Sequence, residues 1–361
     1  MKPLAEISMK RVLVFCKRDW LHPEAGPVEH YMHEVLRRFA ENGHFVSWVC
    51  KHERGRGFAR YKRPTTQIMD QIQVARLGFP MFYRRMANLL LRRMHTKAVT
   101  ATRFDVVVDC IEGRPLLDPG LVDTPLLPVV FRLGPRIIGS DEPPGPYIAT
   151  TGAAADELRR QGVPEQFIVE APFGVTPCPS EAHTEPSAAS RILIVGHDNR
   201  HTRKLEVRLA RLAQGNVDIE LFFPETSANR HDTTNGRGTV GQNLVERCTH
   251  AVAACCMQGH EWLIPQISAC AIPVVAPATF YGAAFVAHEE TGLLHAPGND
   301  KAACEALLRL RADEILRRRL GREGRARMQK RSWDATAWHV LNAIESLASE
   351  VPLDNNLGVR E

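Results

Sequence analysis

A chain of 361 residues, 44% hydrophobic and 24% charged, is long enough for two domains that each bury a core. Its net charge of +5 and pI near 8.8 suit an acidic small ligand or an anionic surface without calling for nucleic acid. Nine cysteines lack metal-ligand spacing, and Cys16, Cys50, Cys110, Cys255 and Cys270 fall inside apolar runs, the pattern of buried free thiols in a reducing cytoplasm.

No apolar run nears 18 residues, which argues against a spanning helix, and the start of the chain lacks a charged-then-apolar signal, which argues against secretion. Met9, just before the first strand, reads as a natural start. Arg11 to Cys16 (RVLVFC) predicts a strand, and Lys17 to Pro27 a polar loop. From Val28 the stripe Tyr31, Val35, Leu36 and Phe39 predicts a helix that stops at Asn42-Gly43. His44 to Cys50 is the second strand, and Gln67 to Leu77 reads as another. Phe79 to Lys97 predicts a basic helix with Met86, Leu89, Leu90 and Met94 apolar. Its basic face either touches an anionic membrane as a peripheral contact or is solvated, and the second reading is preferred. Phe104 to Cys110, Leu126 to Phe131 and Tyr147 to Thr151 are short strands, followed by a helix from Ala153 to Gln161 that stops at Gly162.

Thr176 to Ser190 has the composition of a hinge. Beyond it, Arg191 to Gly196 (RILIVG) is a buried strand, a helix runs to Gln214, and Ile219 to Phe223 is a strand. The literal G-x-G-x-x-G at Gly236 to Gly241 lacks the preceding strand that a dinucleotide fingerprint requires, since SANRHDTTN comes before it. Ala251 to Cys256 and Ile272 to Ala276 are buried strands. Between them, Gln258-Gly259 opens a segment whose Trp262, Leu263, Ile267 and Cys270 are spaced as on one helical face. In a parallel sheet, such a Gly turn and helix start lie at the carboxyl edge, where anionic ligands bind. Helices fill Lys301 to Lys330, and Ser332-Trp333-Asp334 caps a last one. From Asp354 the chain reads as a frayed tail.

Several of these stretches together resemble family 4 glycosyltransferases of the GT-B fold. The family segment Glu-Gly-Phe/Trp-Gly-Leu, three residues, Glu-Ala-x-Ala-x-Gly-x-Pro-Val is similar to Gln258-Gly259-His260-Glu261-Trp262, three residues, Gln266-Ile267-Ser268-Ala269-Cys270-Ala271-Ile272-Pro273-Val274. The register holds, with glutamine at both glutamate positions. DWLHPEAGPVEHYMHEVLRRFAENGHFVSWV resembles the family's Pro-x-Ala-Gly-Gly-x-Glu and Gly-His-x-Val segments, with Pro27 in place of the second glycine. YIATTGAAADELRRQGVPEQFIVEAPFGV resembles the end of its first domain, and HEETGLLHAPGND its Gly-Leu-Leu turn and Pro-Gly-Asp loop.

The resemblance implies an α/β fold of two Rossmann-like parallel-sheet domains facing across a cleft. The expected division is 9–175 as the acceptor-side domain, 176–190 as hinge, 191–331 as the donor-binding domain, and 332–349 as a terminal helix returning to the first domain. It implies transfer, with retention, of a sugar from a nucleotide-sugar donor to an unidentified glycan, lipid or small molecule. No nucleic-acid partner is expected. Without an Asp-x-Asp, no metal or other cofactor is expected. Donor contacts are implied for Gly26, His197, Arg203, Lys204, Gly259, His260 and Gln266, and catalytic roles for Gln258, Glu261 and Arg132. Arg132 sits where relatives keep a histidine. Glutamine keeps length and one acceptor but has no charge and adds a donor. Glu261, one turn from the start, either stands in for the missing acid or complements the helix dipole. The alternative is a catalytically silent homologue that binds a partner or ligand. An epimerase on the same fold is weaker, its acid and histidine constellation not being visible.

Overall fold

The computed structural model describes residues 8–22, 25–51, 65–77, 83–96, 104–113, 115–118, 124–133, 146–178, 191–224 and 240–350. They form two compact units. One comprises the described residues of Met1–Asp19, Met32–Ala171 and Ala337–Glu361, the other those of Trp20–Tyr31 and Pro172–Thr336. Most of Thr176 to Ser190, most of the G-x-G-x-x-G and the tail from Asp354 lie outside the described residues.

The first unit is built on eight strands: β1 (Arg11–Phe15), β2 (Phe45–Lys51), β3 (Thr65–Met69), β4 (Ile72–Leu77), β5 (Val106–Gly113), β6 (Leu126–Leu133), β7 (Tyr147–Ala149) and β8 (Ile168–Glu170). Their order is β3-β4-β2-β1-β5-β6-β7-β8, parallel except for β3 against β4. Central strands such as RVLVF and VVVDC are apolar almost throughout because both faces of a parallel sheet are covered. Helix α1 (Pro27–Glu41) ends where Gly43 takes φ +88°, and α3 (Gly152–Arg160) where Gly162 takes φ +90°, the left-handed stop that glycine adopts without strain.

Three expectations need correction here. Gln67 to Leu77 is a hairpin of β3 and β4, turned by Asp70 (φ +49°) and Gln71 (φ +63°), not one strand. Paired left-handed residues match the strand twist. In helix α2 (Tyr83–Thr96), Tyr83, Ala87 and Leu91 form the buried face, while Leu89 of the expected stripe is 47% exposed. Three consecutive leucines give no phase, and Tyr83 sets it. Its buried hydroxyl donates to the Cys16 and Val49 carbonyls at 2.7 and 2.8 Å. Strand β8 also forms where only connecting chain was expected.

The second unit carries an all-parallel sheet in the order β10-β9-β11-β12-β13. Its strands are β9 (Arg191–Val195), β10 (Asp218–Phe222), β11 (Ala253–Cys256), β12 (Val274–Pro277) and β13 (Gly292–His295). Its helices are α4 (Arg200–Leu212), α5 (Val240–Cys248), α6 (Ile264–Ala269), α7 (Phe280–Phe285), α8 (Asp300–Ala312) and α9 (Glu314–Met328). The core joins Ile192, Ile194, Leu205, Leu209, Leu307 and Leu320 on one face of the sheet. Residues 260–270 are buried on every side rather than on one helical face. They form a 3-10 turn (Glu261–Leu263) and then the six-residue α6, packed between the sheet and α9. Strand β13 and helices α5 and α7 were not anticipated. Ser332 Oγ accepts from the Ala335 amide at 3.1 Å and so caps α10 (Trp333–Glu350), as expected. No helix among the described residues is long and apolar enough to cross a membrane.

Candidate functional site

In the second sheet, β9 leads through α4 to β10 on one side, while β11 flanks it on the other. The strand order therefore reverses between β9 and β11, and the crevice outside their carboxyl ends is where an open parallel sheet takes a ligand. Gly196-His197 leaves β9 and Met257 to Glu261 leaves β11. A Cβ on Gly196 would lie 2.8 Å from Thr202 Oγ1 and 2.9 Å from Met257 Cγ, so only glycine lets these segments approach. The His260 amide donates to the Met257 carbonyl at 3.0 Å, and Gly259 between them holds φ +94°. The turn leaves Gln258 and Gly259 exposed. It brings the His260 ring to 4.2 Å from that of His197, edge to face, while a Cβ on Gly259 would be 3.7 Å from His197 Nε2. His197, Gly259 and His260 thus converge at the switch point.

Glu261 is buried beneath this turn at 3% exposure. One carboxylate oxygen accepts from the Gly259 amide at 2.7 Å, and the other from the Thr279 hydroxyl, also at 2.7 Å. Thr279 in turn caps α7 by accepting from the Gly282 amide at 3.1 Å. The acid braces the Gly turn against α7 and takes up the Gly259 amide.

Gly26 belongs to the same unit. Its amide donates to Glu29 Oε2 at 2.9 Å, the back-bond of a capping box with Glu29 at the third helical position. Pro27 occupies the first helical position, where its missing amide costs no helix bond. A buried carboxylate therefore sits at this helix start, where the resemblance implied a donor phosphate. One turn along, the His30 ring stacks on Trp262 at 4.9 Å.

The cations are differently placed. Arg203 gives Asp198 Oδ1 hydrogen bonds of 3.3 and 3.1 Å from Nε and Nη2, and its guanidinium lies 5.2 Å over the Phe223 ring. Asp198, overlooked in the sequence reading, offsets that charge. Lys204 is exposed and has no ion pair among the described residues. The first amides of α4, at His201 and Thr202, donate to the Asn199 side chain at 2.9 and 3.0 Å.

Gln266 is 5% exposed and faces backbone. Its Oε1 accepts from the Thr176 amide at 2.7 Å, and its Nε2 donates to the Thr176 carbonyl at 2.9 Å. The carboxamide thus spends one acceptor and one donor site on the chain itself. Only a side chain with donor and acceptor makes this pair. That accounts for glutamine at a position where the resembling family has glutamate.

Arg132 lies on β6 of the first unit, its backbone opposite Glu112. The first sheet has its own reversal between β1 and β5. There Lys17 Nζ meets Glu112 Oε2 at 3.2 Å, and Cys16 Sγ lies 2.9 Å from Cys110 Sγ. Asp109 beside them is fully buried. Its carboxylate accepts from the amides of Leu116 and Leu117, both at 3.0 Å, and burial pushes its pKa up to about 6 against the pull of those amides and of Arg84. The signal that could have found it is a lone acid in the apolar run VVVDC. Among the described residues, no cluster of three or more His, Cys, Asp or Glu could hold a metal ion.

No protein-family model matches the sequence, and no curated protein matches it. Solved structures do match. A sucrose-phosphate synthase from Thermosynechococcus elongatus superposes with a TM-score of 0.65 at 15% identity, covering 95% of this chain and 100% of its own. WaaG, a glycosyltransferase of lipopolysaccharide biosynthesis, gives 0.57 at 12% identity over 92% and 99%. HepE of Anabaena, solved in complex with UDP and glucose, gives 0.57 at 10% identity over 93% and 100%. The chain has the two-sheet fold of GT-B glycosyltransferases.

Proposed function

We propose that the protein is a glycosyltransferase that takes a nucleotide sugar at the carboxyl edge of the second sheet and passes the sugar, with retention, to a separate acceptor. The observation that carries this reading is the convergence of His197, Gly259 and His260 at the β9/β11 reversal in a chain of glycosyltransferase fold. A diphosphate there would meet imidazole N–H groups and Lys204 rather than an arginine fork. Gln258, exposed on the turn, stands where the sugar hydroxyls would be met. No metal has a role in this scheme, since the side chains at the edge supply hydrogen bonds and charge directly.

A second reading has specific support. Gly26 and Gly259 have their amides satisfied by Glu29 and Glu261, Gln266 is spent on Thr176, and Arg203 on Asp198. A fold that retains the crevice while satisfying its donors internally fits a silent homologue acting as a binding protein. Isothermal titration with UDP, GDP and ADP, followed by hydrolysis assays with the matching sugar nucleotides, separates the two. Micromolar binding with turnover supports the transferase. Binding without turnover supports the silent homologue, and absence of binding to all three refutes the donor site.

A further inference from the structure

The β1/β5 reversal holds a feature that sugar transfer does not use. Phe15 of β1 is in register with Asp109 of β5 and with Val49 of β2, so Cys16, one residue on, sits beside Cys110 on one neighbour and Cys50 on the other. Parallel strands lie about 4.8 Å apart, inside the Cα separation that a disulfide accepts. The Cys16 thiol touches that of Cys110, with Sγ to Sγ 2.9 Å. The Cys50 thiol lies 3.8 Å from Asp19 Oδ2. Cys16 is 1% exposed, whereas Cys110 is half-buried. The Tyr83 hydroxyl, bonded to the Cys16 and Val49 carbonyls, holds the end of β1 in place, so the two sulfurs need not search for one another.

We propose that Cys16 and Cys110 are a redox pair which closes to a disulfide across the switch point of the first sheet, with a small-molecule disulfide such as oxidised glutathione as the oxidant. Cys110, the more accessible thiol, loses its proton and attacks a glutathione sulfur. The glutathione S–S bond breaks, one glutathione leaves as the thiol, and a mixed disulfide remains on Cys110. Cys16 then loses its proton and attacks Cys110 Sγ, expelling the second glutathione. Two protein thiols are oxidised and one disulfide is reduced to two thiols. The new bond ties β1 to β5 at the edge where a ligand of this sheet would enter, and a dithiol reductant reverses it.

The test is a peptide map of the whole folded protein after incubation with oxidised glutathione, with remaining thiols alkylated before digestion. Trypsin places Cys16, Cys50 and Cys110 on separate peptides, 12–17, 39–51 and 104–132. The expected result is one cross-linked species joining 12–17 to 104–132, lost on reduction, retained in Cys50→Ser and missing from Cys110→Ser. Three results overturn the proposal: Cys16 and Cys110 both fully alkylated, a lasting glutathione adduct on Cys110 with Cys16 still alkylated, or a cross-link that joins either to another cysteine. The wild-type map decides these even if Cys110→Ser fails to fold.

Discussion

Gln266 and Thr176 form a two-point amide pair, with Thr176 N–H donating to Oε1 at 2.7 Å and Nε2 donating to the Thr176 carbonyl at 2.9 Å. The pair couples the buried helix α6 to the chain just before residues 179–190. Gln266→Glu should keep the first bond and turn the second into a carboxylate facing a carbonyl. Leaving a buried acceptor unpaired costs about 1–3 kcal/mol. The loss should be larger at pH 8 than at pH 4.5, because the protonated acid regains a donor and its folded pKa is raised. Urea unfolding at both pH values checks this. If Gln266→Ala instead weakened nucleoside diphosphate binding and left stability intact, the residue would be a ribose contact after all.

Helix α9 crosses close to the end of α6. A Cβ on Gly321 would stand 2.1 Å from the Ala271 carbonyl oxygen, and Ala271 is already held at φ +58°. Gly→Ala inside a helix ordinarily gains about 1 kcal/mol. Overpacking costs about 1–3 kcal/mol, and here the obstacle is backbone rather than a movable side chain, so the clash should win. Gly321→Ala is expected to lower the thermal midpoint. A raised midpoint would show that the helices can separate freely.

The fully buried Asp109 carboxylate should register in the pH dependence of stability. Its folded pKa of about 6 lies above the 3.8 of an exposed carboxylate. Below about pH 4 both states are protonated and the group contributes nothing. As pH rises to about 6, the unfolded chain gives up the proton first, so stability falls, by about 3 kcal/mol for a shift of about two units. Above that the loss is constant. Asp109→Asn, which keeps an acceptor for the Leu116 and Leu117 amides, should remove this component. The difference between variant and wild type should widen in the variant's favour from pH 4 to pH 7, and parallel curves would dismiss the effect.

Much of this architecture could be read from the residues, and the reasons it stopped short are physical. Apolar strands such as RILIV and the stops at Gly43 and Gly162 act locally, so their places were predictable. The hairpin at Asp70-Gln71 was not, because carboxylate and amide residues enter left-handed turns without the glycine that marks them. Short elements such as α7 and β13 exist by packing rather than by local preference. At the site, the positions of His197, Gly259 and His260 followed from the motif's register. What their neighbours do did not. Glu29 on Gly26, Asp198 on Arg203 and Thr176 on Gln266 are choices of hydrogen-bond partner, and sequence spacing does not reveal those.

Gln258 is the position where glutamine can be tested with least risk to the fold. It lies exposed on the turn before Gly259, and exposed substitutions usually stay within about 0.5 kcal/mol. Gln258→Glu should therefore fold with an unchanged melting midpoint. If the edge takes a sugar nucleotide, positive charge develops at the sugar during transfer, and a carboxylate there would hold it better than a neutral amide. One charge-assisted contact of about 1.5–3 kcal/mol corresponds to roughly a ten- to hundred-fold rise in donor turnover. The measurement is release of nucleoside diphosphate from whichever sugar nucleotide binds in titration. A fall in rate would mean that the carboxamide itself belongs to a working site. Turnover below detection in both proteins, with intact folding and no nucleotide binding, would remove the transferase reading altogether.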